Sequence, residues 1–239
     1  MKTTPTTERM EGTEKPMAII KPTLATLDQL PDWANLITRS LLEGLRVRDP
    51  YTYGHCRRVG RNARLLAKAA GLSAWEQTKV EHAALFHDLG KIGIPDRVLL
   101  KPGKLSEDEL TIIREHPIKS VEIIQPLTKL PFFEAMVPGI LHHHERMDGC
   151  GYPYGLSGDD IPLIARIILI ADTYDAMTTT RPYRKGMGED LAYKELTKFS
   201  GRQFDAHLVK IFREAHPTWG KVDEEISEDF VTAHFRRAA

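Results

Sequence analysis

From residue 31 onward, the apolar positions Trp33, Leu36, Ile37, Leu41 and Leu45 recur at helical spacing, and Asp49-Pro50 ends the run. A second helix is expected from about Thr52, through His55, Val59, Ala63, Leu66 and Ala70, stopping at Gly71. Ser73-x-x-Glu76 is a capping box. It opens an apolar helix (Val80, Ala83, Ala84, Phe86) that delivers the pentapeptide His87-Asp88-Leu89-Gly90-Lys91, with Gly90 expected to close the helix in the left-handed conformation. Residues 92–103 hold two prolines and two glycines and read as a loop. Ser106-x-x-Glu109 is a second capping box, and its helix must end near His116 because Pro117 follows. Pro117 suits the first turn of another helix, through Val121 and Ile124. Residues 132–144 look helical with a break or kink at Pro138, and 148–158 form a glycine-rich loop around Pro153. A buried helix is expected over 162–177, then amphipathic helices over 189–199 and 206–215. No alternating strand pattern of convincing length and no internal repeat is found, so the fold class is all-α. Residues 1–30, rich in Thr, Pro and charge, read as a flexible N-terminal tail, 31–216 as one domain and 217–239 as a C-terminal extension.

Composition narrows the function classes. A chain of 239 residues can bury a substantial core. Its formal net charge of zero gives no reason to expect a polyanionic partner, so nucleic acid is not a first-choice ligand. Two cysteines, Cys56 and Cys150, cannot build a disulfide framework, which fits a reducing compartment. No basic segment followed by an apolar run marks a signal peptide. The longest apolar stretch, 161–171, is too short for a bilayer and contains Arg166, so no membrane association is expected. The expectation is a soluble, cytoplasmic protein.

The candidate chemistry lies in histidines and aspartates. His87 and Asp88 are adjacent at the end of a packed helix, where they could grip one ion or bridge two. Asp172 ends the apolar run, where an uncompensated carboxylate would cost several kcal/mol; it needs a cation, either Arg166 or a metal. Asp175, three residues on, lies on nearly the same helical face, as a second carboxylate or a ligand-orienting group. His142, His143 and His144 form a run of which at most two should aim at one centre. His116 could merely cap a helix, and His55 could be a core histidine. Singly, each residue favours the structural reading. Jointly, His55, His87, Asp88, His116, His143, His144 and Asp172 make a ligand inventory of imidazoles and carboxylates without thiolate, the set used by Fe, Mn or Zn hydrolases. Cys150 reads as a bystander, and His82, His207, His216 and His234 as packing or surface residues.

The segments HDLGKIGIPD, HHERMDGCGYP and IADTYDAMTTTRPYR, in this order, resemble the HD-GYP family, bacterial cyclic di-GMP phosphodiesterases within the HD metallohydrolases. The similarity runs from about Leu36 to Phe212 and includes the downstream segment Ser200-Gly-Arg-Gln-Phe-Asp205. The resemblance implies an HD-type helical bundle with metals in its core. His55, His87, Asp88 and Asp172 match the general ligands, His116, His143 and His144 the additional ones, and Asp88 is the natural bridge. Lys91 would reach the scissile phosphate, and Asp175 would stand beside the centre with a catalytic role. Gly151, Tyr152 and Pro153, with Arg181 and Arg184, would hold the guanine and phosphate groups of the substrate. Arginine forks suit phosphate, and a tyrosine can stack on a base.

Two departures matter. Met147 replaces the usual aromatic before Asp148-Gly149, and Tyr51 stands where trinuclear members carry a glutamate ligand. Two divalent ions, Fe(II) or Mn(II), are therefore expected. The implied reaction opens cyclic di-GMP to linear pGpG by a metal-bridging hydroxide, with further hydrolysis to GMP left open. Two alternatives stand beside it: an adaptor that binds the nucleotide without useful turnover, and a hydrolase of another cyclic dinucleotide. Candidate protein partners are diguanylate cyclases, other signalling proteins and a second copy of the chain. The chain leaves no room for a receiver or sensor domain, so regulation is expected from outside or from the short tail.

Overall fold

The computed structural model describes residues 32–180 and 185–220; the tail expected over 1–30 and most of the extension expected over 217–239 lie outside them. The described residues are all-α, as the periodicity predicts. The order is α1 Asp32–Arg48, α2 Pro50–Ala69, α3 Ala74–Phe86, α4 Asp96–Leu99, α5 Glu107–Ile113, α6 His116–Ile124, α7 Pro131–Glu134, α8 Val137–His142, α9 Leu163–Thr178, α10 Glu189–Lys198 and α11 Ala206–Ala215. Short 3-10 turns link several of them. The only β-type pairings among the described residues are two isolated bridges, Asp148 with Ser157 and Ser200 with Phe204.

α2 and α9 form the centre, with α3 packed on both and α1, α8, α10 and α11 around them. α9 is apolar on nearly all sides: Ile164, Ala165, Ile167, Ile168, Leu169, Ile170 and Ala171 are buried. Such a helix can only be a core element, and each fully buried isoleucine contributes about 1.5–3 kcal/mol. α2 starts earlier than the pattern suggests. Asp49 accepts hydrogen bonds from the Tyr51 and Thr52 amides (3.1 Å each), and Pro50 takes the first helical position, where its missing N–H costs nothing. Both predicted capping boxes form, at Ser73 and Ser106. In α1 the buried face is Ala34, Thr38, Leu42 and Leu45, whereas Trp33 and Leu36 face outward. The predicted break near Pro138 falls at residues 135–136, between α7 and α8. At the C-terminal side, Trp219 packs on Phe212 and His216, and Arg61 hydrogen-bonds the Trp219 carbonyl.

Two expectations around the pentapeptide are corrected. Residues 92–103 are not all loop, because a 3-10 turn, Leu89–Gly93, and α4 run through the region. Gly90 does not adopt positive φ; it lies in that turn. It is glycine because α6 crosses directly over it. An added Cβ would lie 2.8 Å from the Lys119 carbonyl carbon and closer still to the His116 oxygen and Ser120 nitrogen, all backbone atoms. The glycine lets two chain segments touch, and this contact sets His116 against Asp88.

Candidate metal centre

Five elements deliver the side chains: α2 (His55), the end of α3 (His87, Asp88), the start of α6 (His116), the end of α8 (His143, His144) and α9 (Asp172, Asp175). Helix ends leave carbonyls without intrahelical partners, and three of the histidines use them. Nδ1 of His87, His116 and His143 lies 2.6, 2.7 and 2.7 Å from the carbonyl three residues earlier, of Ala84, Ile113 and Ile140. A carbonyl only accepts, so each Nδ1 carries a proton and each Nε2 is the atom turned to the centre, free to ligate whenever it is unprotonated. His55 is fixed differently. Its Nδ1 donates to Asp175 Oδ2 (2.7 Å), while Arg58 grips both oxygens of that carboxylate from the other side, at 2.7 and 3.1 Å.

The Nε2 atoms converge in two groups. His116 Nε2 lies 3.3 Å from His143 Nε2 and 3.2 Å from His144 Nε2. On the other side, His55, His87 and Asp172 bring their donor atoms within 4.8 Å of one another, with His55 Nε2 3.0 Å from Asp172 Oδ1. Asp88 stands between them. Its Oδ1 is 3.2 Å from His116 Nε2, and its Oδ2 is 3.4 Å from His87 Nε2, 3.6 Å from His55 Nε2 and 2.6 Å from Lys91 Nζ.

Electrostatics divide the groups the same way. Burial, with neighbouring imidazole charge, holds His116 down at about 3, His144 at about 4 and His143 well below the ordinary range. These rings are neutral at pH 7 and ready to donate. Burial also opposes charge on Asp88, but Lys91 and His87 outweigh it and keep the carboxyl strongly acidic; the His55 hydrogen bond does the same for Asp172. His55 and His87 are raised despite burial: the hydrogen bonds of His55 to Asp172 and Asp175 outweigh it, and the charge of Asp88 does so for His87. A divalent cation would replace those protons.

The donor set fits divalent ions on three counts. The His116 Nε2 atom lies 3.2–3.3 Å from those of His144 and His143, a cluster of neutral imidazole nitrogens that one cation could join. The His87 Nε2 is buried without a hydrogen-bond partner. One carboxylate presents a separate oxygen to each group. Such a centre can hold divalent metal with a bridging carboxylate.

The other expected residues fall as follows. Asp172 does not pair with Arg166, which instead binds Asp159 (3.1 Å) and Asp205 (2.9 Å). Asp175 touches His55 and Arg58, so both its oxygens are engaged in orienting a ligand. All of the His143-His144 pair reaches the centre, while His142 turns toward Glu145 and the Tyr154 ring. Gly151 must be glycine, since a Cβ would lie 2.5 Å from backbone atoms of residues 144, 145 and 146. That close passage seats Tyr152, whose ring stacks on His144 (4.6 Å between centroids, 27°), with the Arg114 guanidinium 5.6 Å from its centre. The Tyr152-Pro153 bond is cis. Arg181 and Arg184 lie outside the described residues.

The motif-based reading passed over four residues. Buried Glu145 ties down the loop by accepting from the Tyr154 and Leu156 amides at 2.7 and 3.0 Å. Ser120 joins α6 to the pentapeptide, accepting from Gly90 N (2.7 Å) and donating to the His87 carbonyl (2.8 Å). Arg58 backs Asp175. Cys56, counted only as a cysteine without a framework, places its sulfur within 4.8 Å of ligand atoms of His87 and Asp88, so the cluster does contain a thiol. Its position directly after His55 in a buried helix was the available signal; Ser120 offered none.

Among known proteins, a family model described as HD domain matches residues 40–208. The chain is 40% identical over 186 residues to the cyclic di-GMP phosphodiesterase response regulator RpfG of Xanthomonas campestris pv. campestris, covering 78% of this chain and 49% of that protein. It is 41% identical over 145 residues to the 3'3'-cGAMP-specific phosphodiesterase 3 of Vibrio cholerae, covering 61% and 31%. The crystal structure of the cyclic GMP-AMP specific phosphodiesterase V-cGAP3 of V. cholerae superposes with a TM-score of 0.60 at 20% identity, covering 82% of this chain and 52% of that one, a likeness of fold. The chain spans about half or less of the length of these curated relatives. No helix among the described residues is long and apolar enough to cross a membrane. With the HD pair between two imidazole groups, the Gly-Tyr-Pro loop packed on His144 and a family match over most of its length, the chain belongs to the HD domain family, in its HD-GYP group.

Proposed function

We propose that the chain is a metal-dependent phosphodiesterase that opens cyclic di-GMP to linear pGpG. The carrying observation is the Asp88 carboxylate, which offers Oδ1 to one imidazole group and Oδ2 to the other. His55, His87, Asp172 and Asp88 would hold one divalent ion, and His116, His143, His144 and Asp88 a second, with Fe(II) or Mn(II) suiting the nitrogen and oxygen donors. When bound, such ions supply Lewis acidity toward phosphoryl oxygen and water of lowered pKa.

The remaining work belongs to the chain's own residues. Lys91 is held 2.6 Å from Asp88, and that charge keeps it an ammonium despite burial. From there it can donate to a phosphoryl oxygen and offset charge growing on the leaving group. Asp175 acts through His55, so it is a positioning residue. Tyr152 and Arg114 wall the mouth beside His144, and Arg181 and Arg184 are assigned to the substrate phosphates. Two ions per chain are proposed because Tyr51 offers a neutral phenol where a third cation would need an anionic oxygen.

The test is turnover of protein purified anaerobically and loaded with Mn(II) or Fe(II), with cyclic di-GMP and 3'3'-cGAMP as parallel substrates and a chelator control. Linear pGpG from cyclic di-GMP, abolished by chelation, is expected. Nucleotide binding without turnover on either metal would leave the adaptor. Faster turnover of 3'3'-cGAMP would move the assignment to that substrate, the one for which the V. cholerae relative is named.

A further inference from the structure

Cys56 is fully buried on α2, directly after His55. Its Sγ, a ring nitrogen of His87 and a carboxylate oxygen of Asp88 all lie within 4.8 Å of one another. A buried cysteine alone would be a small apolar filler. A second, independent observation changes that reading. His87 Nδ1 is committed to the Ala84 carbonyl, and its Nε2, buried on a fully enclosed residue, has no hydrogen-bond partner at ordinary distance. Asp88 Oδ2, an acceptor, lies 3.4 Å from this nitrogen. An imidazole nitrogen, a carboxylate oxygen and a sulfur thus share one enclosed space. A buried polar atom left without a partner is destabilising, and one cation can engage the nitrogen, the oxygen and the sulfur together. His87 also belongs to the group with His55 and Asp172, so sulfur and that group share a donor.

The geometry points to Cys56 as a thiolate donor to the ion held by His55, His87 and Asp172, which makes that half of the centre selective for Zn(II), Co(II) or Fe(II) over Mn(II) and Mg(II). Thiolate is a soft ligand that favours these ions, whereas Mn(II) and Mg(II) favour oxygen. On binding, the sulfur–metal bond forms as the thiol proton leaves to solvent. The inference rests on the reading that the His/Asp cluster holds divalent metal, and it separates the two halves of the centre: one accepts sulfur, the other only nitrogen and oxygen.

The experiment is Co(II) titration of the metal-free full chain under anaerobic conditions, followed by absorption. Visible d–d bands report that the cluster binds the ion at all; a near-ultraviolet thiolate-to-Co(II) charge-transfer band reports sulfur. Both are expected in the wild type. The second should vanish in Cys56→Ser with the visible bands kept, and survive in Cys150→Ser. Because the chain has two cysteines, a band kept in Cys150→Ser assigns the sulfur even if Cys56→Ser fails to fold. Competition should show Cys56→Ser weakening Co(II) and Zn(II) by about tenfold or more while changing Mn(II) by less than about threefold. Visible bands without the charge-transfer band, or a band that persists in Cys56→Ser, would overturn the assignment of Cys56 alone. Absence of any Co(II) signal would overturn it together with the metal reading beneath it.

Discussion

Gly90→Ala is the sharpest test of how the centre is assembled. The new methyl would stand 2.8 Å from the Lys119 carbonyl carbon, with the His116 oxygen and Ser120 nitrogen nearer still. Restoring a carbon–carbon contact of roughly 3.5 Å requires the start of α6 to move by about 0.7 Å or more. No flexible side chain can yield instead, because every opposing atom is backbone. The move stretches both Ser120 bonds, from Gly90 N and to the His87 carbonyl. Overpacking of this kind costs about 1–3 kcal/mol, and two weakened buried hydrogen bonds add about 1 kcal/mol, so about 3 kcal/mol in all is expected. For a domain of this size that is a fall of about 6–12 °C in Tm. The same displacement carries His116 away from Asp88 Oδ1, now 3.2 Å from its Nε2. Metal affinity should therefore fall along with stability. Urea unfolding with chelator gives the first quantity, and metal titration gives the second. Ser120→Ala is the comparison: it unpairs two buried groups and costs about 2 kcal/mol, yet leaves α6 in place and metal affinity nearer wild type. A Gly90→Ala protein within about 0.5 kcal/mol of wild type, with unchanged metal binding, would refute the close-approach account.

Asp88→Ala and Lys91→Ala should fail differently: metal analysis should find the centre depleted in the first and retained in the second, whose turnover falls about a hundredfold. Equal metal loss in both would make Lys91 structural. Asp175→Asn should lower metal affinity about 10–100-fold by freeing the His55 ring, checked by competitive chelation, with little change in KM at saturating metal. Tyr51→Glu should raise metal content from about two toward three ions per chain; elemental analysis showing three in the wild type would contradict the proposal. His216 packs against Phe212 and Trp219 and bonds Tyr193, and burial lowers it to about 4. The unfolded chain therefore takes up the proton first as pH falls. Stability from this group is complete above about pH 6.5 and lost toward pH 4, by about 1 kcal/mol at pH 5 after discounting for partial exposure. Denaturation midpoints of His216→Gln should be flatter with pH across that window, and a parallel slope would refute the assignment.

The helices were legible because their causes are local. Capping at Ser73 and Ser106 and the apolar stretch that became α9 depend on neighbours within a few residues. The residue types of the centre were also legible, since His87-Asp88, the histidine run and Asp172 stand out against their apolar surroundings. What local pattern does not encode is which face of one helix meets which face of another. Gly90 illustrates this: its composition suggested a left-handed cap, but the crossing of α6, thirty residues on, decides why no side chain fits there. Arg166 and Asp172 sit six residues apart on one helix, yet their partners come from elsewhere, Asp205 for one and His55 for the other. Cys56 and Ser120 acquire meaning only where α2, α3 and α6 meet around the pentapeptide. Residue identity and helix periodicity supplied the donors; the packing of helix ends, whose spare carbonyls take the Nδ1 protons of three histidines, decided that their Nε2 atoms turn to the two groups on either side of Asp88.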